Sequence, residues 1–75
     1  MKNIKLIRVT RDFTQLKVQM ETGISQSVLS KYESGALMPT SENLIILSKF
    51  FGTSVDFLLD LTDSQTPYPP KNLSK

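Results

Sequence analysis

Cysteine and histidine are both absent from this chain of 75 residues. Without cysteine there is no disulfide and no thiolate for metal or nucleophilic chemistry. Without histidine the commonest general base and the commonest zinc ligand are missing as well. Glycine occurs three times, at scattered positions, and forms no phosphate-cradling loop. The seven acidic residues are dispersed, and no nucleophile sits beside a base in a visible motif. A domain this small is also poorly able to enclose a deep pocket. These absences argue against an enzyme, and no cofactor, metal or small-molecule site is expected. No apolar run approaches the roughly 18 residues of a membrane span. The N-terminal MKNIKLIRV lacks a long apolar core and a small-residue cleavage site, so neither a membrane partner nor a secretory leader is expected and the location predicted is cytoplasmic.

What remains is a single small domain near the lower size limit for folding without a staple. Its stability has to come from helix packing, aided by a partner subunit if there is one. Nine basic and seven acidic residues leave a formal charge of +2. That balance permits nucleic-acid binding without requiring it, since the placement of charge matters more than its sum.

Apolar spacing predicts a first helix over residues 3–11, with Ile4 and Ile7 inward and Asp12 at the break, where a left-handed residue is often needed. Thr14 is placed to cap a second helix that Gly23 closes, although Lys17 stands where a capping-box acid would be. Leu16, Val18 and Met20 alternate with polar residues, a period-two pattern that by itself suggests a strand. A lone strand would leave its backbone unpaired, so a helix is preferred. Ser25 is placed to cap a third helix over 26–34, with Gly35 beyond its end. After a loop through Pro39, Thr40 or Ser41 starts a fourth helix bearing Leu44, Leu47, Phe50 and Phe51 and closed by Gly52. Ser54 caps a short fifth helix carrying Val55, Leu58 and Leu59. Tyr32, Phe50, Phe51 and Phe57 are expected in the core rather than as a base-stacking platform. The fold class is therefore all-α, a compact bundle over residues 1–61. From Thr62 to Lys75 three prolines and little apolar periodicity predict a flexible tail, in which Tyr68 is more readily solvated than docked.

The segment from Thr14 to Gly35, TQLKVQMETGISQSVLSKYESG, carries the functional signal. Two short helices flank a glycine turn, and the second offers Gln26, Ser27, Ser30 and Lys31 on one polar face. An amide can bond adenine N6 and N7, an ammonium can bond guanine O6 and N7, and short hydroxyls allow close approach. An isolated polar stripe is usually only a solvated face; within a helix-turn-helix setting, recognition is favoured. The chain resembles the Cro/repressor-type helix-turn-helix family of small bacterial and phage regulators. The resemblance rests on Thr14-Gln15, Gly23 to Ser27, Ser30 to Glu33, Gly35, Pro39, Leu44, Leu47, Phe51-Gly52 and Ser54 to Leu59, and it covers residues 3–62.

That resemblance implies a five-helix, lambda-repressor-like domain whose second and third helices bind double-stranded DNA. By position, it implies base reading by Gln26, Ser27, Ser30 and Lys31, and phosphate binding by Gln15 and Ser25. It also implies a structural ion pair between Arg8 and Glu33. A sequence-specific transcriptional repressor, dimeric on an inverted repeat, is the expected function. The sequence departs from the family at Gln19, where a small residue is usual, and at Thr22, and also at Leu16 and Met20, where charge is usual. The Ala36–Pro39 loop lacks the usual basic residues. The non-basic loop, the apolar Leu16 and Met20 and the low net charge support an alternative: a protein-interaction or antitoxin-like module on the same fold. Leu16, Met20, Leu37 and Met38 are expected to be partly exposed and would suit a protein interface if they joined into one patch.

Overall fold

A computed structural model describes residues 1–67, and the expectation for Tyr68 lies outside them. Five helices follow in order: α1 (Lys2–Thr10), α2 (Gln15–Thr22), α3 (Gln26–Ser34), α4 (Ser41–Phe51) and α5 (Val55–Leu58). Among the described residues there is no strand. The first helix begins and ends one residue earlier than its apolar spacing predicts, and Leu59 caps α5 instead of belonging to it.

Local chemistry sets most of the boundaries. Each of the last four helices begins with a hydroxyl that accepts a backbone N–H three residues on. Thr14 accepts from Lys17, Ser25 from Val28, Thr40 from Asn43 and Ser54 from Phe57, at 3.0–3.2 Å. These bonds satisfy donors that a helix leaves outside its own ladder. Thr40, not Ser41, is thus the cap of α4. At the other end of α2, Gly23 takes φ 81°, a left-handed conformation costly for a side chain with a Cβ. Asp12, at φ 61°, makes the break after α1.

The period-two pattern in α2 has a geometric explanation. A helix turns about 100° per residue, so Leu16 and Met20 fall together while Val18 lies opposite them. Val18 is buried, whereas Leu16 and Met20 are 51% and 71% exposed. The core also takes Ile4 and Ile7 from α1, Ile24 from the turn, Leu29 and Tyr32 from α3, and Leu44, Leu47 and Phe51 from α4. Phe57 and Leu58 of α5 complete it. Phe13, in the turn after α1, stacks obliquely on Phe50 and Phe51 with ring centroids 5.2 and 6.2 Å apart. Phe50 itself is only partly buried.

Contacts distant in sequence close the bundle. The Asp60 carboxylate accepts the backbone N–H groups of Lys2 and Asn3 at 3.2 and 2.9 Å, supplying α1 with the N-terminal cap that its own sequence lacks. The buried Asn3 amide donates to the Phe57 and Thr62 carbonyls at 2.9 and 3.2 Å, joining α1 to the chain that leaves α5. No helix among the described residues is long and apolar enough to cross a membrane.

Candidate nucleic-acid interface

The third helix divides cleanly into two faces. Leu29 and Tyr32 point into the core. Gln26, Ser27, Ser30 and Lys31 are all exposed, as is Ser25 at the cap. At about 100° per residue these four side chains occupy an arc of about 140°. The arc holds amide, hydroxyl and ammonium groups, without an acid to repel phosphate.

The helix is held from behind by polar bonds. Arg8 of α1 meets Glu33 as a fork: its Nε donates to Oε2 at 2.6 Å and its Nη2 to Oε1 at 3.0 Å. The pair is largely withdrawn from solvent, with the Arg8 side chain 12% and that of Glu33 5% exposed. The remaining arm of Arg8, Nη1, donates to the Phe13 carbonyl at 2.8 Å. One guanidinium thus ties α1, the turn after it and the end of α3. On the opposite flank, Asn43 of α4 donates to the Tyr32 hydroxyl at 2.8 Å, which satisfies the polar tip of a buried aromatic.

Gln15 and Ser25 have partners of their own. The Gln15 side chain donates to Glu33 Oε1 at 3.1 Å, which makes it a third member of the Arg8–Glu33 cluster. Its second amide hydrogen and its backbone N–H at the start of α2 remain as donors that can meet an anion. Ser25 Oγ accepts from Val28, so its hydroxyl hydrogen is the group it can offer outward. Gln15 and Ser30 line one shallow depression together with Lys5, Glu33 and Ser34. Lys5 was not singled out from the sequence, since its neighbourhood to Ser30 depends on how α1 crosses α3.

Gln19, a departure at the sequence level, has a definite place: its Oε1 accepts the backbone N–H of Gln26 at 2.6 Å. Thr22 bonds the Val18 carbonyl through Oγ1 at 2.7 Å and accepts the Ile24 N–H at 3.2 Å, so it stabilises the turn with its hydroxyl. Leu37 and Met38 are 44% and 67% exposed in the α3–α4 loop. A further exposed apolar pair, Leu6 and Val9, lines a groove on α1 with Lys2, Lys5 and Asp63. Among the described residues no group of histidine, cysteine, aspartate or glutamate side chains is arranged to hold a metal ion.

A short capped helix, a left-handed glycine turn and a second helix with its polar face outward define a helix-turn-helix protein. The family model described as helix-turn-helix matches residues 4–58, and the chain belongs to that family, of the Cro/repressor type. The chain is 42% identical over 53 residues to the antitoxin PezA of Streptococcus pneumoniae, a match covering 71% of this chain and 34% of PezA. It is 30% identical over 64 residues to the uncharacterized HTH-type transcriptional regulator YobD of Bacillus subtilis, covering 85% of this chain and 57% of YobD. It is 34% identical over 56 residues to the HTH-type transcriptional activator BcrR of Enterococcus faecalis, covering 75% of this chain and 28% of BcrR. The matches thus span between 28% and 57% of these relatives' length. No solved structure matches the chain.

Proposed function

We propose that the chain is a sequence-specific, double-stranded-DNA-binding transcriptional repressor that places α3 in the major groove and acts in the cytoplasm as a homodimer on an inverted repeat. The observation that carries this reading is the exposed Gln26, Ser27, Ser30 and Lys31 face on a helix braced by Arg8–Glu33 and Tyr32–Asn43. Gln26 suits adenine, Lys31 suits guanine or a phosphate, and the serines allow close approach. Gln15 and Ser25, at the starts of α2 and α3, suit phosphates that fix the docking register. Selection from a random DNA pool by the purified chain is expected to yield a palindrome with half-sites one helical turn, about 34 Å, apart. The Gln26→Ala, Lys31→Ala double variant is expected to lose that preference. Equal affinity and unchanged preference in the variant would remove those residues from the base-reading role. A reporter whose promoter overlaps the selected site tests the sign of regulation, with reduced expression expected.

A second reading is favoured by the identity to an antitoxin and by the exposed Leu16 and Met20 on α2. In it the same fold serves a protein partner, with or without DNA. Absence of binding to mixed genomic DNA at low salt would support this reading over the first.

A further inference from the structure

Gln19 holds both sides of the helix-turn-helix corner. Its backbone carbonyl accepts the Gly23 N–H at 2.9 Å, which closes α2. Its side-chain Oε1 accepts the Gln26 N–H at 2.6 Å, seven residues further on, at the first residue of α3. That N–H is one of the donors that a helix cannot satisfy within its own ladder. The Ser25 cap, which takes the Val28 N–H, lies next to α3 in the chain and moves with it. The Gln19 bond differs, because it starts on α2 and fixes one helix relative to the other.

We propose that Gln19 is a positioning residue for Gln26, sharpening discrimination at the base pair that Gln26 reads. This inference rests on the reading of α3 as the recognition helix. Gln26 stands at the N-terminus of that helix, the end from which base edges are contacted, and also the end where a helix frays. An amide on adenine has to form bonds to N6 and N7 together, so a small displacement of its backbone weakens both. Pinning the backbone nitrogen removes that freedom.

Gln19→Ala deletes the bond while placing the best helix former in α2, and Gln19→Glu keeps an acceptor at the same reach. Both are compared with Gln26→Ala for amide hydrogen exchange and for base preference on the DNA selected by the intact chain. In Gln19→Ala, exchange at the Gln26 amide should accelerate on the order of tenfold with the Leu29 amide unchanged, since loss of one capping bond frees that donor alone. Discrimination at the base pair assigned to Gln26 should fall about tenfold, within the range of one bidentate contact. Other base pairs should keep their preference, Gln19→Glu should retain discrimination, and the Gln19→Ala, Gln26→Ala double variant should be no worse than Gln26→Ala alone. Full discrimination in Gln19→Ala, an equal loss at every base pair, or unchanged exchange at Gln26 would each overturn the proposal. If the intact chain selects no sequence, or Gln26→Ala relaxes none, the recognition-helix reading fails and takes the proposal with it. That outcome is distinct from selective reading that ignores Gln19.

Discussion

Glu33 is the residue on which the back of α3 depends, receiving two bonds from Arg8 and one from Gln15. Its side chain is almost fully covered, so deleting the carboxylate strands a guanidinium that water reaches poorly. Breaking such a pair costs about 3 kcal/mol. In a domain of this size Glu33→Ala should lower the melting temperature by more than about 10 °C, measured by circular dichroism. The Arg8→Met, Glu33→Leu pair should recover much of that loss, because an apolar pair of similar volume leaves no charge unpaired. If the double variant melts as low as Glu33→Ala, the loss is not one of stranded charge. The partnership of Arg8 and Glu33 was legible in the sequence only through the family pattern. The third member was not, because Gln15 reaches Glu33 across 18 residues and nothing in either neighbourhood marks the other.

At the scale of elements, the legible features are those whose cause lies within one turn of chain. Thr14, Ser25 and Ser54 sit three residues before the N–H they accept, and Gly23, Gly35 and Gly52 sit at the ends they close. The start of α1 was not legible in this way, since its cap is Asp60, 57 residues beyond Asn3 in the chain. Asp60 also has φ 64°, a conformation that aspartate and asparagine tolerate better than alanine. Asp60→Ala should therefore cost about 2 kcal/mol, roughly half from the lost cap and half from the backbone. Asp60→Asn keeps one accepting oxygen and the backbone tolerance, and should cost less than about 1 kcal/mol. Chemical denaturation of the two variants gives the comparison, and hydrogen exchange locates it. The Lys2 and Asn3 amides should lose protection in Asp60→Ala while those of α4 keep theirs. Equal stability of the two variants would contradict the capping role.

At the scale of the whole molecule, the formal charge of +2 says how much positive charge there is but not how much of it is free to meet DNA. Several cations have partners within the protein, although of these only Arg8 is largely withdrawn from solvent. Arg8 is taken by Glu33, Lys17 lies 3.0 Å from Glu21, and Arg11 donates to the Phe51 carbonyl. Lys31 stands on the exposed face of α3, and Lys5 lines the depression shared with Gln15 and Ser30. The Ala36–Pro39 loop contributes no charge. Each phosphate neutralised contributes a slope of about −0.9 to the logarithm of affinity against the logarithm of salt concentration. With two such cations at the proposed interface, the slope should be about −2 per subunit, well short of strongly basic repressors. Lys5→Ala should make the slope shallower by about 1 and weaken all sequences alike. Titration of the selected duplex and of an unrelated duplex over a range of salt concentrations measures both quantities. A per-subunit slope steeper than about −4 would require phosphate contacts from cations other than Lys5 and Lys31. An unchanged slope in Lys5→Ala would take Lys5 off the interface. With Lys5 and Lys31 as the cations beside the proposed DNA face among the described residues, selectivity would then have to come chiefly from how accurately α3 is held.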